Sequence, residues 1–539
     1  MSTETPENID RRQVLGTLAV VGAGMLGVSC SSAPRGVAEA SQQDRLLREK
    51  IKTIVVIYAE NRSFHNLFAN FPGLAPLPAD AGLPQRDRDG SVLATLPPIW
   101  GGLVPTAQHI NGKRYLITQD KFASLPNRPF PLSDSDSQPL PLDVITRDLS
   151  HRFYQNQMQI NGGRCDQFVA WGDGGALVMG HYAQAADEMK LAAVARRYTM
   201  CDRFFMAAFG GSWLNHIYLI SAQAPFYPNA ANSHAKHLLS RVEGDEPQGQ
   251  RLKLAANSPA SAMTGPPKFE RDGSLTPDGY GINTMAPPFQ PSYVRPAPDG
   301  DPRFADPSNA HVMPAQTNAT IGDRLSDKGV SWAWYAGAWS AALQRKGEGP
   351  TPNFQFHHQP FNYFANFAPG TAARDLHLKD AGLGDEALTN HFLTDVKAGC
   401  LPSVSFYKPQ GNLNMHAGYT DIVSGDRHLT KVIEQLEQSP QWPGMLVIVT
   451  VDENGGWWDP IAPPQGDRWG PGSRVPAIVI SPHAKKGHVD HTPYDSTSIL
   501  RLISRVHGLA PLPGVQQRDQ AMRARGQPEL GDLTASLAI

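Results

Sequence analysis

The strongest constraint in this 539-residue chain is a pair of short runs that are β-branched and apolar without alternation, Thr53–Tyr58 (TIVVIY) and Met445–Val451 (MLVIVTV). A strand with one wet face alternates polar with apolar residues, whereas a strand that does not alternate is covered on both faces. Three more β-rich runs, Ser331–Tyr335, Ser403–Tyr407 and Val475–Ile480, stand apart from these, with helical patterns between. Leu429, Val432, Ile433 and Leu436 recur at helical spacing within 426–438, and Ile499, Leu502, Ile503 and Val506 do so within 495–507. Strands alternating with helices predict an α/β fold with a largely parallel central sheet and helices on both faces. The length is ample for one large core. Gly 49 and Pro 47 make up about 18% of the chain, against the roughly 12% usual in globular proteins. The stretches 72–142 and 225–320 are dense in Pro, Gly, Asp and Asn. They read as irregular excursions from a single catalytic domain spanning 41–539, forming a lid or a pocket wall.

Charge and cysteine content exclude several function classes. Lys+Arg 48 against Asp+Glu 50 leaves a net charge of −2, so no basic field points to nucleic acid. Cys30, Cys165, Cys201 and Cys400 have no CxxC spacing, which excludes a zinc finger, a ferredoxin and a disulfide scaffold. At the N-terminus, Arg11-Arg12 precede an apolar run from Val14 to Val28 and a later Ala38-Glu39-Ala40. This order resembles a twin-arginine export signal over residues 1–40, with a periplasmic or secreted product. An ordinary secretory signal or an anchor is the competing reading. Cys30 follows Leu-Gly-Val-Ser, a poor lipobox, so lipid anchoring there is not favoured. Cleavage after Ala40 would leave three cysteines, one of them unpaired. No second apolar run is long enough to span a bilayer, so stable membrane insertion of the mature chain is not expected.

In parallel sheets the chemistry gathers at the carboxyl ends of strands. TIVVIY is followed by Ala59-Glu60-Asn61-Arg62-Ser63-Phe64, and MLVIVTV by Asp452-Glu453-Asn454-Gly455-Gly456. Oxygen ligands Glu60, Asn61, Asp452 and Glu453 suit one divalent cation, with Mg, Mn or Ca favoured and Zn possible. Capping of the following helices or turns by the same side chains is the competing reading. In Phe209-Gly210-Gly211-Ser212-Trp213-Leu214-Asn215-His216, two glycines lead Ser212 into a helix-compatible run. Helix N-termini favour anions, and a serine on a metal loses its proton more readily. A plain N-cap serine competes with this reading. The segment is not G-x-S-x-G, which argues against a nucleophile elbow. His151, His357-His358 and His416 fall in polar, turn-rich settings suited to phosphoryl binding or proton donation. In extended backbone His357 and His358 would face opposite ways, so one of the two is expected in a site.

ENRSF after a buried strand, GGSWLNH, HHQPFNYF, His416-Ala417-Gly418-Tyr419 running to Gly425-Asp426, VDENGGWWD and PAIVISPHAKKGHVDHTPYDSTSILRLI together resemble the phosphoesterase family over about residues 50–509. That family joins bacterial acid phosphatases with phosphocholine-hydrolysing bacterial phospholipases C. The resemblance implies an alkaline-phosphatase-like α/β fold and one divalent ion held by Glu60, Asn61, Ser212, Asp452 and Glu453. It implies Ser212 as nucleophile, His151 and His416 as catalytic histidines, and His357, His358 and Asn61 against the phosphate. The implied activity is acid phosphatase action on small phosphomonoesters through a phosphoserine. Phosphodiesterase or phospholipase C action is the alternative, and a non-catalytic exported phosphate- or metal-binding protein a third reading. An acidic optimum follows if two or more histidines must be protonated.

Three features lean toward the acid phosphatase branch, and one departs from the family as a whole. His65-Asn66 stand where the phospholipase branch has Asp-His. Asp459-Pro460-Ile461 stand where the family often has Asp-His-Val, so any role of that second histidine is absent. Phe71-Pro72-Gly73 closely follow ENRSF. The chain runs only about 30 residues beyond Leu509, which leaves no room for the added C-terminal modules of phospholipases. Trp171, Trp213, Trp457 and Trp458 are the candidates for an aromatic cage around a quaternary ammonium.

Overall fold

The five β-rich runs all form strands, with ends shifted by no more than two residues from the sequence pattern. Together with three short strands they make one sheet: β1 (Thr53–Ala59), β2 (Thr199–Cys201), β3 (Trp332–Gly337), β4 (Leu378–Gly382), β5 (Val404–Lys408), β6 (Met445–Val451), β7 (Ala477–Ile480) and β8 (His488–Asp490). The spatial order is β4-β3-β5-β1-β6-β7-β2-β8. β1 runs parallel to β5, with Ile54 opposite Val404, and to β6, with Thr53 opposite Met445. Only β7 runs antiparallel to its neighbours, β6 and β2; the remaining pairs are parallel. Every residue of β1 and β6 is buried, as continuous apolar runs require. This computed structural model describes residues 35–78, 81–122, 124–344, 354–386 and 388–539. Arg11, Arg12 and Cys30 of the expected export signal lie outside the described residues. Ala38-Glu39-Ala40 are described in backbone alone, within the helix Arg35–Lys50.

Helices cover the sheet as the pattern predicts. α1 (Phe64–Phe68), α2 (Lys190–Arg197), α3 (Ser212–Ser221), α4 (Ile321–Asp327), α5 (His391–Ala398), α6 (Ile422–Glu437) and α7 (Ser496–His507) are the ones that matter for the site. α6 packs against α2 and α5, while α3 packs against α7 and α4. α6 starts earlier than its apolar stripe because Asp421 accepts the Ser424 N–H as its N-cap. α7 is capped by Asp495, which accepts the Thr497 N–H, and stops at Gly508 in the left-handed region. The excursion 72–142 has as its longest elements the paired strands Val104–Ile110 and Lys113–Ile117. Within 225–320 the described strands, Val242–Glu243 and Arg251–Leu252, have two residues each. Residues Asp44–Ile539 form one compact unit. Cys165 and Cys201 are buried free thiols and Cys400 an exposed one. No helix among the described residues is long and apolar enough to cross a membrane.

Candidate active site

Three neighbouring parallel strands deliver polar residues at their carboxyl ends. β1 is followed by Glu60 and Asn61, β6 by Asp452 and Glu453, and β5 ends on Lys408. All five side chains are fully buried. Ser212 opens α3 directly beside them. Two glycines allow the loops to come this close. A Cβ on Gly210 (φ +90°) would lie 2.5 Å from the Phe153 nitrogen, and one on Gly455 (φ +60°) 2.5 Å from the Asn61 carbonyl oxygen. Neither space nor backbone conformation admits a side chain at these positions.

The Ser212 Oγ lies 3.2 Å from Glu60 Oε2 and 3.2 Å from Glu453 Oε1. It makes no capping bond to its helix; the N-cap is Gly211. Glu60 Oε1 accepts from Lys408 Nζ at 2.6 Å and from His358 Nε2 at 2.9 Å. Asp452 Oδ1 accepts the backbone N–H of Asn61 at 2.9 Å and of Glu453 at 2.8 Å. Glu453 Oε2 accepts the Gly455 N–H at 2.6 Å. Asn61 Nδ2 donates to His416 Nε2 at 2.9 Å. The other ring nitrogen of His416 bonds the Ala417 carbonyl, and its ring stacks on Tyr419. His151 Nδ1 donates to the Leu149 carbonyl at 2.6 Å, and its Nε2 stands 3.6 Å from Glu453 Oε1. A cleft of about 300 Å³ opens over Ser212, lined among others by Asp148, His151, Trp213, His357, His416 and Tyr419.

The electrostatics separate the titratable groups. Burial opposes ionisation of Glu60, but Lys408 and His358 outweigh it and hold the carboxyl well below its usual range. Burial, reinforced by the charge of Glu60, pushes Asp452 well up. Burial lifts Glu453 to about 7, with His151 pulling the other way. His151 is desolvated, yet Glu453 and Asp148 raise it to about 9. Burial lowers His416 and His357, and lowers His358 to about 4 with help from Lys408. Of the four expected histidines only His151 is raised; the other three are lowered, so a reaction that needs a second protonated histidine would need acid.

All nine expected site residues therefore meet around Ser212, with two corrections to their arrangement. His357 and His358 are not extended; they occupy the 3₁₀ turn Phe356–His358. Both rings consequently approach Glu60, with donor atoms of the three residues within 4.8 Å of one another. His358 sits behind the carboxylate, whereas His357 lines the cleft. The aromatic cage is also not assembled. Of the four candidate tryptophans only Trp213 lines the cleft; Trp171 lies beneath Arg251 and Trp458 packs on His65. His65 belongs to that packing, and Asp459 pairs with Arg474 at 2.9 Å. Sequence reasoning missed Lys408, whose signal is a lone cation closing an apolar strand. It also missed His216, one turn beyond Ser212, which donates from Nδ1 to the Ser212 carbonyl at 2.7 Å.

The residues present fit a divalent cation. Three carboxylates are fully out of water beside one ammonium, and buried charge must be paired or coordinated. Asn61 Oδ1 and Asp452 Oδ2 are buried without a hydrogen-bond partner. Glu60, Asp452 and His216 bring ligand atoms within 4.8 Å of one another. Oxygen-rich donors of this kind suit Mg, Mn or Ca, and His216 would also suit Zn.

The sequence pattern of the phosphoesterase family matches residues 51–510. The non-hemolytic phospholipase C of Pseudomonas aeruginosa is 27% identical over 238 residues, covering 38% of this chain and 34% of that protein. Phospholipase C B of Mycobacterium tuberculosis is 26% identical over 264 residues, covering 44% and 46%. The chain thus spans a third to just under half the length of these relatives. A solved structure of an alkaline phosphatase superfamily protein from Vibrio parahaemolyticus aligns with TM-score 0.29 and 9% identity, over 68% of this chain and 70% of that one.

Proposed function

The chain belongs to the phosphoesterase family, and from that premise we propose that it is an exported, metal-dependent acid phosphatase that hydrolyses small phosphomonoesters through a phosphoserine at Ser212. The observation that carries this reading is the placement of the Ser212 Oγ, 3.2 Å from carboxylates of two separate strand-end loops and open to the cleft.

In this reading the phosphate enters over the N-terminus of α3, whose free N–H groups favour an anion. Glu60, Asn61, Asp452 and Glu453 would hold the divalent ion, which supplies Lewis-acid stabilisation of phosphoryl charge and a lowered Ser212 pKa. Ser212, its proton released to solvent in the cleft, attacks phosphorus in line, forming the Oγ–P bond as the ester P–O bond breaks. His151 Nε2 protonates the leaving alkoxide. His416 is not placed for that step, because its Nε2 already accepts the Asn61 amide; it fixes Asn61 instead. Neutral His151 then takes a proton from water, which attacks the phosphoserine and releases phosphate, and Ser212 recovers its proton. His357, with both ring nitrogens unpartnered, contacts the bound phosphate.

The names of the relatives support a second reading, phospholipase C action on phosphatidylcholine-like substrates. The absence of an aromatic cage among the described cleft residues favours the first. Assays on p-nitrophenyl phosphate, bis(p-nitrophenyl) phosphate and phosphatidylcholine vesicles separate them: faster turnover of either diester would establish the second. Ser212→Ala is expected to lose at least about 10³-fold in kcat and all radiolabel trapped from ³²P-phosphomonoester; wild-type turnover by this variant rules the mechanism out. Export is tested by fractionating cells that express Arg11→Lys/Arg12→Lys, which should retain the protein inside.

A further inference from the structure

The buried charge of the centre is unusually arranged around a single oxygen. Glu60 Oε1 receives Lys408 Nζ at 2.6 Å and His358 Nε2 at 2.9 Å, while Oε2 alone faces Ser212. His358 Nδ1 accepts the Gln355 N–H, which leaves the proton on Nε2 and makes it the donor to Glu60. Lys408 is fully buried, lies against the Tyr58 ring, and makes one further hydrogen bond, to the Ala59 carbonyl. Among the described residues no other lysine or arginine pairs with Glu60, Asp452 or Glu453. The same Glu60 also belongs to a second potential ligand set, because His357 and His358 each bring one ring nitrogen within 4.8 Å of one of its oxygens and of each other. Both nitrogens of His357 are buried and unpartnered. An imidazole always carries at least one bare lone pair or a second N–H, so this ring is left with polar groups that water does not reach.

We propose that Lys408 is the built-in second cation of the active centre: its ammonium holds the Glu60 oxygen that a second divalent ion ligated by Glu60, His357 and His358 would need, and it leaves Glu60 one oxygen for the first. Lys408 is thus a positioning residue that sets the metal stoichiometry at one. The inference rests on the reading that Glu60, Asp452 and Glu453 hold a divalent ion. Removing the ammonium leaves a carboxylate oxygen and two imidazoles facing each other with no countercharge, a His₂-carboxylate donor set for Zn²⁺ once the His358 proton moves from Nε2 to Nδ1 at the cost of the 3.4 Å bond from the Gln355 N–H.

The test is Zn²⁺ stoichiometry, measured by elemental analysis after equilibration and gel filtration of the full chain. Wild type is expected to hold one ion, Lys408→Met two, and Lys408→Arg one. His357→Gln in the Lys408→Met background should return the count to one. A folded Lys408→Met protein that still holds one ion overturns the proposal, as does a second ion that persists in the double variant. A wild-type chain that holds none overturns instead the underlying reading of the metal site. If Lys408→Met is insoluble, refolding with Zn²⁺ should restore soluble protein with two ions per chain, because the metal replaces the lost charge; failure of Zn²⁺ to restore it also counts against the proposal.

Discussion

Ser212 and His151 divide the proposed chemistry because their surroundings differ. The Ser212 hydroxyl is enclosed by acceptors, whereas His151 is held protonated by Glu453 and Asp148 at the cleft wall. If His151 supplies the leaving-group proton, its loss should depend on the ester. His151→Gln is expected to lower kcat about 10²–10⁴-fold on alkyl phosphates but far less on p-nitrophenyl phosphate, whose leaving group departs without a proton. Equal losses on both substrates would remove His151 from that role. The Ser212 segment was legible because paired glycines before a serine carry local conformational meaning. The role of Lys408 was not, because nothing local to a strand-ending lysine says which carboxylate it will meet.

At the scale of elements, α6 and α7 carry two buried polar ties whose loss has a calculable direction. His428 of α6 accepts from the Tyr407 hydroxyl of β5 at 2.7 Å, and burial lowers its pKa from 6.5 to about 4. A folded-state pKa below the unfolded one means that the unfolded chain binds the proton first. The contribution is therefore complete above pH 6.5 and is lost as pH falls toward 4, amounting to roughly 3 kcal/mol. Thermal unfolding across that range should fall less steeply in His428→Gln than in wild type; parallel curves would place the acid sensitivity elsewhere. Asp495 caps α7 and also binds Arg518 at 2.8 Å, both side chains being buried. Asp495→Ala loses a cap and strands a guanidinium, for a cost of about 3–5 kcal/mol readable by denaturant titration. A loss under 1 kcal/mol would show that Asp467, which also pairs with Arg518, carries the tie alone.

For the whole molecule, the sheet is braced by the centre it supports. Glu60, Asp452 and Glu453 follow adjacent strands β1 and β6, so their mutual repulsion acts across the middle of the sheet. A cation bound there stabilises the fold by about 4 kcal/mol when present at a thousand times its Kd. Chains stripped of metal, with the loss checked by elemental analysis, should unfold several degrees lower and recover when the ion is restored. An unchanged midpoint would mean that protonation of Asp452 and Glu453 already relieves the repulsion. Neither excursion lengthens the sheet; Asn283 and Thr284 of 225–320 line the cleft, whereas its lining includes no described residue of 72–142.

Burial pattern and turn chemistry are local, and the residues alone determined what depended on them: strands β1 and β6, the helices α6 and α7, and the acids and amide placed where the two central strands end. The three strands β2, β4 and β8 escaped notice because three to five residues carry too little period, and their pairing is imposed by neighbours. The 3₁₀ turn at His357-His358 escaped because its direction is set by packing around Trp334, whose indole N–H donates to the His358 carbonyl. Tertiary structure alone decided that Ser212 meets Glu453, 241 positions away, and that Lys408 lies against Glu60. The physical reason is that strand order, not sequence distance, fixes which carboxyl ends are neighbours, and strand order is settled only when the whole sheet has closed its core.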